Sequence, residues 1–278
     1  MNRYWTYLFL FLSSSIATLI FLIMKDGLLS FIKEKNLIAT NYAGKEVINC
    51  AGLLILLPLL LASLLFFLLE PTLTQLIFVL MMPILAFTGL LDDILGDSST
   101  KGLIGHANVI LKGGFSTGFL KALLGGILGL LLAWARYHSL LIMILDVFVF
   151  ALSVNTINLL DLRPGRAIKG FGLLSLIIAV MSQFDQIQSV FPTVIVLLLY
   201  IGGELEESYM LGDTGANLLG GILGFYGVIV LQPIAKGILL TLLFSMHFLS
   251  EFVSISKLIE QTPWLYRLDM LGREKKRS

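Results

Sequence analysis

Long apolar runs broken by short polar stretches set the rhythm of this chain. Tyr4 to Met24 runs 21 residues without a charge. Val47–Leu69 and Pro71–Leu91 follow, parted only by Glu70, and so tight a connection predicts a helical hairpin. Phe119–Ala135, Ser139–Leu160, Phe171–Phe184, Val190–Gly203, Ala216–Leu231 and Gly237–Ser254 complete the series. A helix crosses the hydrocarbon core with roughly 20 apolar residues. The pattern therefore predicts an all-α polytopic membrane protein with about nine transmembrane helices. It forms one integral membrane domain over residues 1–278, with a short polar tail from about 256 to 278.

Composition agrees. Of 278 residues 57% are hydrophobic and 13% charged, with mean hydropathy +0.94. A soluble domain carries roughly a quarter of its residues as charges, so this chain lacks the groups to clothe a water-facing surface. The first apolar run is too long for a signal peptide, and Ile-Phe-Leu-Ile-Met-Lys is not a small-residue cleavage site. It reads as a retained span. A net charge of +1 gives no basis for a nucleic-acid partner. The single cysteine, Cys50, excludes an intrachain disulfide framework and a cysteine-based zinc site.

Basic residues orient the helices. Nine spans place segments 25–46, 92–118, 161–170 and 204–215 on one face with the tail. With Lys121, which sits at the start of its helix where it can snorkel, that face collects 16 of the 19 Lys and Arg residues. The other keeps Arg3, Arg136 and Lys236. The N-terminus is expected outside and the tail in the cytoplasm.

Helix parity brings three polar clusters to the cytoplasmic face. They are Asp92-Asp93 with Asp97, the run Asn155 to Arg166, and Gly212-Asp213-Thr214-Gly215. Carboxylates at a membrane surface are costly unless partnered or solvated, so three such clusters on one side suggest a cation site. Phosphoryl transfer fits, because one or two carboxylates commonly hold Mg²⁺ together with substrate phosphates. Adjacent Asp92 and Asp93 point about 100° apart on a helix, so one can face a metal and the other an attacking group. Asn155 and Asn158 share a helix face at i, i+3. Asp213-Thr214-Gly215 reads as the cap of the eighth helix, whose N-terminus suits a phosphate.

In order and spacing, Asp92-Asp93, Asn155-x-x-Asn158-Leu-x-Asp161 and Gly212-Asp213-Thr214-Gly215 resemble the cytoplasmic motifs of the polyprenyl-phosphate N-acetylhexosamine-1-phosphate transferases. The resemblance covers roughly residues 40 to 255. It implies a multi-pass enzyme of the bacterial cytoplasmic membrane that uses Mg²⁺. Such an enzyme moves a sugar 1-phosphate from a UDP-sugar to a polyprenyl phosphate lipid, and a homodimer is compatible with it. Carried over by motif, Asp92, Asp93 and Asp213 are the catalytic residues. Asp213 is the principal metal ligand, and Asp93 with Asp92 acts at the metal and the lipid phosphate. Asn155, Asn158 and Asp161 face the nucleotide, beside Thr214. Lys45, Lys101 and Lys112 are phosphate candidates.

Three departures from the motifs stand out. Asp-Gly after the asparagine element is replaced by Asp161-Leu162-Arg163-Pro164-Gly165-Arg166. An aromatic residue three before Asp213 is Met210. The family's histidine-rich loop is replaced by Pro263 to Met270. Arg163 and Arg166 are expected to compensate by holding the diphosphate, since an Arg fork suits phosphate.

Elsewhere, Asp146 lies mid-helix and is expected to bond an Asn or Ser on a neighbouring helix, with a lipid-phosphate or proton path as its other reading. Glu204, Glu206 and Glu207 read as a solvated loop. His106, His138 and His247 form no ligand set. The glycines at 125, 126 and 129 and at 220, 221 and 224 read as close helix packing. Two other functions stay open. An intramembrane prenyltransferase uses paired Asp-x-x-x-Asp elements, of which only Asp93-x-x-x-Asp97 is present. A transporter or non-catalytic lipid binder places ionisable groups near the midplane, where only Asp146 qualifies.

Overall fold

The structure, a computed structural model, describes residues 3–95, 117–136, 139–184 and 190–273. Eleven helices and one two-stranded hairpin are its elements among the described residues. The helices are α1 (Arg3–Glu34), α2 (Leu53–Leu69), α3 (Leu73–Leu95), α4 (Thr117–Trp134), α5 (Leu140–Leu160) and α6 (Arg166–Met181). They continue with α7 (Phe191–Leu205), α8 (Gly212–Val230), α9 (Pro233–Phe252), α10 (Ile255–Gln261) and α11 (Pro263–Asp269). Each of the nine expected apolar runs coincides with a helix. Six are long and apolar enough to cross a membrane, and α2 and α7 are shorter apolar helices. The chain is an all-α polytopic membrane protein.

One boundary differs from the expectation. The second apolar run opens not as helix but as β2 (Glu46–Ile48), antiparallel to β1 (Ile38–Thr40). Asn41 closes the turn, its Oδ1 accepting the N–H groups of Ala43 at 2.9 Å and Lys45 at 3.0 Å. Met210 N–H then bonds Ile48 O at 2.8 Å, Ala51 N–H bonds Met210 O at 3.1 Å, and Gly52 N–H bonds Leu211 O at 3.0 Å. Backbone pairing of this kind competes with helix for residues 46–52. It stitches the start of α2 to the start of α8.

Helix α8 is the axis of the bundle. Every residue from Thr214 to Gly224 is buried, and the helix packs chiefly against α5 and α3. Small residues make this possible. A Cβ on Gly220 would lie 2.5 Å from Val154 Cα, and one on Gly224 would lie 2.9 Å from Phe150 Cα. These two contacts fix an antiparallel register of α8 on α5, which sets Asn217 level with Ile157 and Asp213 level with Asp161. Gly129 meets Val147 only at ordinary contact distance, and Gly125 and Gly126 have nothing within 4 Å of a built Cβ. Close packing therefore belongs to the α8 glycines and not to those of α4.

Asp146, expected to bond an Asn or Ser, forms a buried ion pair with Lys236 of α9. The lysine expected at the outer surface folds inward because a mid-helix carboxylate in an apolar bundle demands charge compensation. On the same α5–α9 seam Thr156 Oγ1 meets His247 Nε2 at 3.2 Å.

Helix α3 crosses α8 at Gly89, where an added Cβ would collide with the Asp213 carbonyl group. Gly89→Ala should therefore lower stability in detergent by about 1–3 kcal/mol or more, as overpacking does. Gly126→Ala, with open space around it, should hold or slightly raise stability. Thermal melting of the two variants beside wild type checks the contrast.

Candidate active site

The site grows from the stripe Leu85, Gly89, Asp93 on α3, spaced four residues apart and so on one face. Leu85 lies against Gly221 and Gly89 against the Asp213 backbone. Asp93 then reaches the N-terminus of α8. Its Oδ1 accepts Asp213 N–H at 2.9 Å, and its Oδ2 accepts Thr214 N–H at 3.0 Å and Thr214 Oγ1–H at 2.7 Å. Asn49 Nδ2 adds a bond to Oδ1 at 3.3 Å. The first N–H groups of a helix lack intrahelical partners and carry the positive end of its dipole. Asp93 supplies the acceptor and the opposite charge from a different helix.

The expected cap at Asp213-Thr214-Gly215 is thus made by Asp93 of α3. Leu211 stands at the N-cap and offers no side-chain bond. Gly212 makes the arrangement possible, because its φ is +67° and a Cβ there would lie 2.7 Å from Asp93 Oδ2. Asp93, expected at a metal, has both oxygens engaged in this clamp. Thr214, expected at the nucleotide, is fully buried with its hydroxyl on Asp93.

Asp92, about 100° round α3, faces α4 instead. Thr117 Oγ1 donates to its Oδ1 at 2.6 Å, and Lys121, one turn further on, places Nζ 2.9 Å from its Oδ2. The same Nζ lies 2.8 Å from Asp213 Oδ2. Lys121 is thus buried between two carboxylates and does not snorkel. It is the central site residue that the chain's pattern does not single out, since one lysine at the start of an apolar helix looks like any helix end.

The register brings Asp161 to the same level. Burial raises its carboxyl well above the ordinary carboxylate range, and the negative charges of Glu204, Asp213 and Asp93 push the same way. Asn158 lies one turn deeper with a buried Oδ1 that has no partner among the described residues, whereas Asn155 faces outward. Asn217 is fully buried with both side-chain polar atoms unpartnered among the described residues. Glu204 is not part of a solvated loop. It is buried in α7, and its Oε1 accepts Gly165 N–H at 2.8 Å.

The two arginines separate. Arg163 lies over the Tyr42 ring, 4.2 Å from its centroid, and 3.4 Å from Glu260 Oε1. Arg166 is buried and holds Asp269 through Nε at 2.8 Å and a terminal nitrogen at 3.0 Å, with Ser256 Oγ at 2.9 Å. Expected at the diphosphate, Arg166 instead anchors the tail. Lys169 Nζ donates to Asp269 O at 2.6 Å, and Arg273 reaches Asp269 Oδ1 at 3.1 Å. Burial opposes charge on Asp269, but the bonds and charge of Arg166, with Arg273 and Lys169 beside it, outweigh it and hold the carboxyl below its ordinary value. Residues 255–273 are therefore strapped onto the start of α6 and are not a free polar tail.

Lys45 Nζ donates to Glu207 O at 3.0 Å, while Tyr42 O–H and Asn41 Nδ2 bond the Glu207 carboxylate at 2.8 and 3.2 Å. Met210 sits half-buried in the strand-like segment beside Ile48. Lys101, Lys112, Asp97, His106 and His138 lie outside the described residues.

Among the described residues, no three or more His, Cys, Asp and Glu side chains gather as a metal site. Two carboxylate oxygens, from Asp92 and Asp213, do converge on one cationic point, at present the Lys121 ammonium. That donor set suits Mg²⁺, which usually takes one or two carboxylates and leaves its other positions to substrate phosphates and water. No protein-family model matches the chain, and no curated protein matches it in sequence.

The neighbours Asp92 and Asp93 should separate on mutation. Asp93→Ala strands the first N–H groups of α8, and a charge-assisted bond is worth about 1.5–3 kcal/mol, so it should cost at least that much stability. Asp92→Ala loses the Thr117 bond but leaves Lys121 paired with Asp213, so it should cost less. Melting or denaturant titration in detergent distinguishes them, and equal losses would contradict the clamp.

Proposed function

We propose that this chain transfers a sugar 1-phosphate from a nucleotide diphosphate sugar, UDP-linked by the resemblance, to a polyprenyl phosphate at the cytoplasmic face of a bacterial membrane. The observation that carries the reading is the convergence of Asp92, Lys121 and Asp213 at the start of the central helix. Positive and negative groups alternate there within 3 Å. Phosphoryl transfer needs this combination, because its work is positioning phosphates and neutralising their charge.

The reaction balances as a displacement at phosphorus. An oxygen of the lipid phosphate bonds to the β-phosphorus of the donor. The bond from that phosphorus to the bridging oxygen breaks, and the oxygen leaves with the nucleoside monophosphate. Asp213 and Asp92 would hold a Mg²⁺ ion, which would supply charge neutralisation at the diphosphate. Lys121, whose ammonium lies between the two carboxylates, would bind a phosphate oxygen of the donor or acceptor. Asp93 holds the start of α8 and so positions Asp213. Asn158 and Asp161 line the donor side, and Arg163 would have to exchange Glu260 for a phosphate to reach the diphosphate. Lys236 already compensates Asp146, the one carboxylate on which a transport reading would rest.

Purified protein in detergent with Mg²⁺, undecaprenyl phosphate and a panel of UDP- and CDP-linked sugars should release mononucleotide. Asp213→Asn should lower turnover by about 10²-fold or more with folding retained, as loss of an electrostatic catalytic group does. Lys121→Met should lower turnover and also stability, because it leaves Asp92 and Asp213 without their shared cation. Wild-type turnover in Asp213→Asn at limiting Mg²⁺ would contradict the assignment.

A further inference from the structure

A cavity lies at the opposite end of the bundle from the carboxylates. Its volume is about 350 Å³, inside the range of roughly 300–1,000 Å³ typical of ligand pockets. Ile222, Phe225 and Ile229 of α8 line its wall. From Ile222 to Ile229 this wall lies nine to sixteen residues beyond Asp213 along the helix, about 13–24 Å at 1.5 Å per residue. The cavity is therefore remote from the candidate active site.

Its lining is apolar on one side and polar on the other. Phe66, Phe78 and the α8 side chains supply the apolar wall, while Ser63, Thr72, Thr74, Gln75 and Arg136 supply polar groups. Thr72 is exposed and marks the mouth at the bundle surface. The Arg136 guanidinium donates one bond to Ile229 O at 3.3 Å. Its Nε is buried with no partner among the described residues, and so is Gln75 Oε1. A buried donor without an acceptor is costly, and no carboxylate among the described residues lines this cavity. An unmatched cation, an unmatched acceptor and nearby hydroxyls beside an apolar wall form a complementary set. They call for an anionic group that also carries hydroxyls and continues into a hydrocarbon chain.

We infer that this cavity binds an anionic phospholipid of the phosphatidylglycerol kind. Its phosphate sits at Arg136, its glycerol hydroxyls lie toward Gln75 and the Thr72–Thr74 edge, and the start of an acyl chain lies on the Phe66–Phe225 wall. A polyprenyl phosphate offers the charge and chain but no hydroxylated head to meet Gln75. The inference is independent of the proposed transferase reaction.

Native mass spectrometry of the delipidated full chain tests it, with phosphatidylglycerol, diacylglycerol, glycerol 3-phosphate and undecaprenyl phosphate added separately. One phosphatidylglycerol should bind and raise the melting temperature, since a ligand of the native state stabilises it. Diacylglycerol and glycerol 3-phosphate should each bind at least about tenfold more weakly, because each lacks half of the complementary set. Arg136→Gln should weaken phosphatidylglycerol binding by about tenfold or more, and Arg136→Lys, which keeps the charge, by less. Gln75→Leu provides a second variant that leaves the guanidinium in place and should also weaken binding. Equal binding of diacylglycerol, preference for undecaprenyl phosphate, or unchanged affinity in both Arg136→Gln and Gln75→Leu would overturn the inference.

Discussion

The bond network between the Asp93 carboxylate and the first turn of α8 holds the rest of the site in place. Helix α8 is nearly all buried and begins where water would otherwise satisfy its free N–H groups. An acceptor from α3 takes over that task. To reach it, α3 must approach the α8 backbone at Gly89, and Gly212 must take a left-handed conformation with no Cβ in the way. Once those conditions are met, Asp92 on the next face of α3 and Asp213 on the first turn of α8 arrive beside each other. Their mutual repulsion requires a cation, and Lys121 provides it from α4. Packing comes first and the charge cluster follows from it.

The adjacent aspartates therefore divide their work. Asp93 faces inward and is saturated with donors, so it contributes geometry. Asp92 faces the α4 edge and shares the Lys121 ammonium with Asp213, so it contributes charge. The hairpin at residues 38–48 and the residues that follow it add a tether on the other side, since Ile48, Ala51 and Gly52 bond the backbone of Met210 and Leu211 and hold the segment that delivers Gly212.

Much of this was legible along the chain. Apolar run lengths located nine of the helices, because a lipid-facing helix must be apolar over its length whatever it packs against. The polar clusters at 92–93, 158–161 and 213 stood out for the same reason: carboxylates are rare in such a background. Partner choice was not legible. Lys121 and Lys236 resemble surface lysines in composition, and only the helix register shows that each meets a buried carboxylate. Arg166 carried the same ambiguity, because its partner Asp269 is 103 residues away in a segment that reads as polar tail. Residues 46–52 misled in another way, since their apolar character suits a strand pairing as well as a helix.

The central claim is that Asp92 and Asp213 form one cation site that places the metal against a diphosphate. The most direct test uses Mn²⁺ in place of Mg²⁺ and pulsed electron–nuclear double resonance on the protein in detergent with a bound UDP-sugar. The account predicts a ³¹P coupling that marks direct contact between metal and diphosphate, present in wild type and lost in Asp213→Asn. A coupling of the same size in Asp213→Asn, or none in wild type with both ligands bound, would contradict it.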